Sequence, residues 1–265
     1  MNLLDTHIDQ FTDRVYELYG HDFRDYNYST IQRQVEHIMS KYQHPDFGAF
    51  LLALATPELF ADLFSRLSIN VTAMFRNPQV YAYLRQEIMP KLANHAHIRI
   101  WCAGVATGEE AWSLAILLHE TGLLERSLIY ATDFNSQALA QAEKGQIKLE
   151  HMASYTKNYI DSGGTNSFSS YYTSDNTDAH FDKNLSRTML FAKHNLATDQ
   201  AFNEFHLILC RNVLIYFNPQ LTNKALRVFN NSLTSGGYLL LGDKESINNA
   251  SFPNQALLCL HPLHK

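Results

Sequence analysis

The sequence predicts an α/β fold, a doubly wound and mostly parallel sheet with helices on both faces, preceded by a small all-helical N-terminal domain. Three observations carry this reading. Apolar residues recur at helical spacing from Leu3 to about Leu67, strand-like and helix-like segments alternate from Ile98 onward, and the stretch IRIWCAGVATGEE (98–110) leads an apolar, β-rich run through a glycine turn into a helix. A length of 265 residues with 46% hydrophobic content can bury a large core, as one large domain or a small one plus a medium one.

In the N-terminal part, Leu4, Ile8 and Phe11, then Val15 and Leu18, then Ile31, Val35 and Ile38 mark successive helical faces. Asn27 or Ser29 caps the second helix, Gly20 and the region 42–47 interrupt the pattern, and Pro57 fits the first turn of a fourth helix. Residues 1–67 are therefore read as the helical domain, 68–78 as a connector rich in side-chain hydrogen-bonding groups, and 79–265 as the α/β domain. A helix over 80–92 precedes the alternation. It runs as strand 98–102, helix 108–120, strand 127–132, helix 136–144, strand 189–192, strand 205–210, helix 219–233 and strand 238–241. A polar, turn-rich and aromatic excursion, 161–184, interrupts it and predicts a small exposed hairpin within an insertion near 161–190. After Pro253, the run 256–260 is expected to close the sheet as an antiparallel edge strand.

A net charge of −5 offers no global attraction to nucleic acid, and no segment reaches the length of a membrane span, so no nucleic-acid partner and no membrane insertion are expected. The start MNLLDTHIDQ lacks a basic region followed by an apolar one, and a cytoplasmic location follows as the expectation. Cys102, Cys210 and Cys259 lie in apolar runs without metal-type spacing, which predicts buried free thiols and no metal site.

The glycine turn carries most of the functional information. Gly104 and Gly108 remove side chains where backbone passes close to a ligand, and the helix start offers unpaired N–H groups. A phosphate loop would add a lysine, whereas this turn has Glu109 and Glu110, which suits a neutral or cationic nucleoside such as S-adenosylmethionine. Asp133 ends the next strand, where a carboxylate in a doubly wound fold bonds ribose hydroxyls; the competing reading makes it a helix cap or turn residue. Arg211 and Asn212 stand between LILC and VLIYF, so the strand stops at Cys210 and places them at the same carboxyl edge, as site residues or with the arginine in a structural ion pair. Asn70, Thr72 and Arg76 in the connector supply an amide, a hydroxyl and a guanidinium, with capping and solvation as the plainer alternative. Asn195 and Leu196 just beyond a strand suit the edge and face of an adenine, or a turn followed by a core leucine.

Taken in order, the blocks NVTAMFRNP, WCAGVATGEEAWSLA, ATDFN, HNLATD and CRNVLIYF resemble the bacterial chemotaxis-receptor glutamate O-methyltransferases of the CheR type, over roughly the last three-quarters of the chain. The resemblance implies a class I, Rossmann-like methyltransferase fold with a seven-stranded sheet and a small β insertion. It also implies a pocket for S-adenosylmethionine, leaving S-adenosylhomocysteine as product, in which Asn70, Thr72, Arg76, Glu109, Asp133, Asn195, Leu196, Arg211 and Asn212 make the contacts. Tyr216 matches a family aromatic close to the transferred methyl group, and Arg76, Arg211 and Tyr216 are the residues expected nearest the chemistry. The implied reaction methylates glutamates on a chemoreceptor cytoplasmic domain for adaptation, carried out by a monomer. An ionised carboxylate displaces the sulfonium in line, so no general base is needed and alignment is the enzyme's task. Either arginine could orient the substrate or cofactor carboxylate, and with a sulfonium nearby at least one should be held by a carboxylate.

The chain departs from the family pattern in three places. Asp243 and Lys244 precede Glu245 where the family carries a histidine and a serine, Ala111 and Trp112 replace a common proline and tyrosine, and IQRQVEHIMSKYQ is less basic than the family's second helix. The first and third motivate an alternative: an S-adenosylmethionine-binding signalling module that acts through protein contacts without methyl transfer. A nicotinamide-dependent oxidoreductase would need a denser glycine fingerprint, and none is present.

Overall fold

A computed structural model describes residues 3–67 and 72–245 and the backbone of 256–259. Contacts divide the chain into two compact units, 1–70 with 213–226, and 71–212 with 227–265. Part of the segment after Asn212 thus groups with the helical unit.

The first unit holds α1 (Asp5–Tyr19), α2 (Tyr28–Lys41), α3 (Phe47–Ala53) and α4 (Pro57–Leu67). Their apolar faces bury Ile8, Phe11 and Val15 with Ile31, Val35, Ile38, Phe50 and Leu63. Asn27 is the cap of α2, its side chain accepting from Ser29 N, and Pro57 opens α4. The segment after Asn212 joins this unit through backbone: Asn27 N donates to Tyr216 O at 2.8 Å, Asn218 N to Asp25 O at 2.9 Å, and Tyr26 bridges Phe217.

The second unit opens with α5 (Pro78–Tyr83), a π-helical stretch (Leu84–Ile88) and α6 (Met89–Leu92) in place of one continuous helix. Pro90 lacks an N–H and crowds the carbonyl four residues back, and Met89 N instead donates to Leu84 O five residues back. Then follow β1 (Ile98–Ala103), α7 (Glu109–Glu120), β2 (Ser127–Asp133), α8 (Ser136–Lys144), β3 (Gln146–Lys148) and α9 (Leu149–Asp161). After them come β4 (Tyr172–Ser174), β5 (Asp178–Phe181), α10 (Lys183–Ser186), β6 (Met189–Lys193), β7 (Phe205–Cys210), α11 (Pro219–Ser232, whose first part belongs to the first unit), β8 (Leu233–Leu241) and β9 (Ala256–Cys259). The central sheet has the order β6-β2-β1-β7-β8-β9, every pairing parallel. Successive strands run outward from β1 in one direction and from β7 in the other, so the topological switch point, where α/β folds hold their ligands, lies between β1 and β7.

Six strands of this sheet lie among the described residues. Two expectations need correction. β9 pairs with β8 in parallel and not as an antiparallel edge; 14 residues separate the two strands in sequence, far more than a tight antiparallel hairpin uses. The excursion is more than an exposed hairpin: β4 and β5 form one, but β3 completes a three-stranded antiparallel sheet, and α9, which the sequence reading passed over, backs it.

The unusual Trp112 explains itself in this setting. Its ring lies 5.2 Å from that of Phe181 on β5, nearly parallel at 18°, and its Nε1 donates to Ala142 O at 2.9 Å. Gly145, at φ 61°, lets the indole approach so closely that a Cβ would fall 2.4 Å from it. Cys102 and Cys210 are buried free thiols, and the Cys259 side chain lies outside the described residues. Among the described residues no single helix is long and apolar enough to cross a membrane.

Candidate cofactor site

Parallel strands deliver their carboxyl ends to one edge of the sheet, and four of the strands place site candidates there, Gly104 after β1, Asp133 ending β2, Asn195 after β6 and Arg211 after β7, with Gly242 following β8 at the same edge. The turn after β1 is bound to β2 through Gly104 N and Val105 N, both donating to Thr132 O at 2.8 and 3.0 Å. Gly108 at φ 96° is required twice over, by its left-handed backbone and because a Cβ would lie 2.7 Å from Ala142 Cβ on α8.

Asp133 is buried, and its carboxylate spans the turn: Oδ2 accepts from Ala106 N and Oδ1 from Asn135 N, each at 2.9 Å. Burial raises its pKa, while the backbone N–H groups of Asn135, Ala106 and Phe134 pull it back. The capping alternative is overturned, because Asn135 caps α8, its Oδ1 accepting from Gln137 N and Ala138 N. Asp133 is a turn-fastening residue whose carboxylate retains acceptor capacity for a ligand.

Glu109 starts α7, where the helix dipole favours an anion, yet it is buried and makes no ion pair among the described residues. Thr107 Oγ1 donates to it at 2.7 Å, and burial holds its pKa above the ordinary carboxylate range. Asn195 starts a turn with Asp199 N and Thr198 N donating to its carbonyl, and its Oδ1 accepts from Ala197 N at 2.9 Å, which leaves the side-chain NH2 as its donor. Leu196 beside it is buried.

Arg211 is buried, and its guanidinium makes three hydrogen bonds. Nη1 meets Glu110 Oε1 at 3.0 Å, and Nη2 donates to Arg76 O at 2.9 Å and Asn77 Oδ1 at 3.1 Å, with the guanidinium 5.9 Å from the Tyr81 ring centroid. Burial opposes the Arg211 charge most strongly, but Glu110, Tyr81 and Glu245 together outweigh it and hold the guanidinium above its ordinary value. Burial likewise pushes the Glu110 carboxyl up, with Arg211 drawing it back down. The structural ion pair is thus present, and its acid is Glu110, to which the sequence reading assigned no role. Asn212, at φ 61°, donates its backbone N to Glu245 Oε2 at 3.0 Å, and Gly242 N donates to the same oxygen at 2.6 Å. A Cβ on Gly242 would fall 2.8 Å from that oxygen. The altered Asp243–Lys244 pair therefore sits in a turn that Glu245 ties to Asn212.

Arg76 lies between Phe75 (φ 50°) and Asn77 (φ 58°), and Ala106 in the glycine turn has φ 49°. Left-handed backbone at non-glycine residues gathers where surrounding bonds impose it, often at functional sites. Thr72 is half-buried just upstream. Asn70 lies outside the described residues, and Tyr216 sits in a 3-10 turn (Leu214–Tyr216) of the first unit. Sequence reasoning did not reach Asn77 or Tyr81, whose places depend on a contact with Arg211.

The residues present fit a cationic nucleoside cofactor: a lysine-free glycine turn, a buried carboxylate at the end of β2, and a second buried carboxylate, Glu109, that makes no ion pair among the described residues. The known proteins agree. The CheR methyltransferase SAM binding domain matches residues 70–257, and the CheR methyltransferase all-alpha domain matches 6–68. The chain belongs to the CheR methyltransferase family. As a CheR-family protein it is an S-adenosylmethionine-dependent methyltransferase, and S-adenosylmethionine is its cofactor. It is 40% identical over 252 residues to the "Putative methyltransferase Cher3" of Pseudomonas putida, covering 95% of this chain and 92% of the relative. A "Chemotaxis protein methyltransferase" of Listeria innocua is 30% identical over 247 residues, covering 90% and 89%. An uncharacterised 104.1 kDa protein of Rhodobacter capsulatus is 32% identical over 235 residues, of which this chain spans 24%.

Proposed function

We propose that this CheR-family protein methylates glutamate side chains on a chemoreceptor cytoplasmic domain, forming methyl esters. The observation that carries the reading is the four-strand carboxyl edge of a chain matched by the CheR cofactor domain over 70–257. The chemotaxis name of the Listeria relative supports the receptor as substrate.

S-adenosylmethionine supplies the methyl group. Asp133 accepts from the ribose hydroxyls, Glu109 offers its buried carboxylate to the cofactor's cationic end, and Asn195 and Leu196 hold the edge and face of the adenine. Arg76 orients a carboxylate at the site, with Asn70, Thr72, Arg211 and Asn212 completing the contacts. Tyr216 enters through the family resemblance alone. A glutamate is already ionised near neutral pH, so the chain need supply alignment and exclusion of water and no proton acceptor. The fastened turn and the buried ion pair are rigid supports of the kind alignment requires.

The test is incubation with methyl-labelled cofactor and receptor cytoplasmic fragments. Base-labile label on glutamates is the expected result. Tight S-adenosylhomocysteine binding without ester on any fragment would favour a module that acts through protein contacts.

A further inference from the structure

Glu110 is not among the proposed cofactor contacts, and its surroundings assign it work. Its carboxylate meets Arg211 Nη1 at 3.0 Å, with side-chain exposures of 12% for the acid and 3% for the arginine. The other end of the same guanidinium grips the connector, donating to Arg76 O at 2.9 Å and Asn77 Oδ1 at 3.1 Å. Just upstream, Phe75 N donates to Ser113 Oγ on α7 at 2.9 Å, and Asn158 Nδ2 on α9 donates to Met74 O at 3.0 Å. Four consecutive residues, Met74 to Asn77, are thus held from three directions, and two of the four have left-handed backbone. Of the three holds, the one through Arg211 reaches the carbonyl of Arg76 itself. Arg211 can serve Glu110 and the connector together because a planar guanidinium presents its donors in a fixed fork.

We propose that Glu110 is a positioning residue: by holding Arg211 it fixes the backbone from which the Arg76 side chain projects, and so sets how firmly the site binds its cofactor. This rests on the reading of Arg76 as a cofactor contact. A rival role is purely electrostatic, in which Glu110 neutralises Arg211 beside a cationic ligand. The two roles separate on ligand charge, because S-adenosylmethionine carries a sulfonium and S-adenosylhomocysteine does not.

The experiment is a double-mutant cycle read by calorimetry with both ligands. Glu110→Gln keeps an acceptor for Nη1 but loses the charge that holds the guanidinium. It is expected to weaken both ligands equally, on the order of tenfold, and the loss should shrink to less than about twofold in an Arg76→Ala background. A loss confined to S-adenosylmethionine, an undiminished loss without the Arg76 side chain, or no loss at all would overturn the proposal. If Glu110→Gln does not fold, Glu110→Asp takes its place in the cycle, since a side chain one methylene shorter keeps the charge but draws back from Arg211 Nη1, and the same outcomes decide. These measurements need no receptor. Failure to form methyl ester would therefore count against the substrate reading and leave this inference standing.

Discussion

Replacing Arg211 by methionine should destabilise the protein strongly near neutral pH and much less at pH 5. The substitution leaves Glu110 buried without its counter-charge, and the carboxylate then escapes most cheaply by taking a proton. From an ordinary value of about 4.3, protonation at pH 7 costs about 3.7 kcal/mol, and at pH 5 about 1 kcal/mol. The lost bonds to Arg76 O and Asn77 Oδ1 add roughly 1–2 kcal/mol at either pH. The total, about 5 kcal/mol at pH 7, agrees with the 3–5 kcal/mol typical of breaking one side of a buried ion pair. At pH 5 it falls to about 2–3 kcal/mol. Urea unfolding at the two pH values measures the difference. A loss of equal size at both would refute the claim that Glu110 is the stranded partner. Arg211→Met with Glu110→Met should recover most of the stability, because an apolar pair of similar volume strands no charge.

Three further outcomes follow from the same edge. Asp133→Ala should weaken S-adenosylhomocysteine binding by about 1–3 kcal/mol in calorimetry, through lost charged hydrogen bonds and a turn that no longer ties Ala106 N to β2. Glu109→Gln should raise the melting temperature of the free protein while lowering cofactor affinity. Burial raises the Glu109 pKa, so the stability it contributes is present when it is protonated and is lost as pH rises from about 4.3 through its raised value; melting curves of the variant should lack that loss. Gly108→Ala should cost roughly 1–3 kcal/mol, read by denaturant unfolding, because the added methyl meets α8 while φ stays at 96°.

Much of the fold was legible because its signals are local. Alternating strands and helices, the glycine turn and the acid ending β2 each lie within a few residues of chain, and each stands where periodicity puts it. The candidate cofactor edge was legible for the same reason, since β2, β6 and β7 each pass from apolar to polar residues at their carboxyl ends. The partner of Arg211 was not, because Glu110 lies 101 residues away and both adjacent glutamates look alike in sequence. Burial treats them differently: Glu109 turns to a hydroxyl and Glu110 to a guanidinium. The direction of β9 was missed because a short apolar run carries no mark of strand sense. β3 and α9 were missed because a three-residue strand is stabilised by its partner β5 more than by its own composition.

Glu120, at the far end of α7, has a wider consequence. Its carboxylate receives Arg85 from the π-helical stretch, the hydroxyls of Tyr159 and Tyr171, and the backbone N of Thr165. Burial would raise its pKa, yet these donors together hold it below the ordinary range. One acid therefore closes the fold of the inserted β-sheet from outside it. A chimaera that transplants residues 146–182 into another scaffold carries the two tyrosines but leaves behind the carboxylate on which they converge. The segment is an insertion in the order of the chain, while in its chemistry it is a dependent of the helix that begins at the cofactor turn.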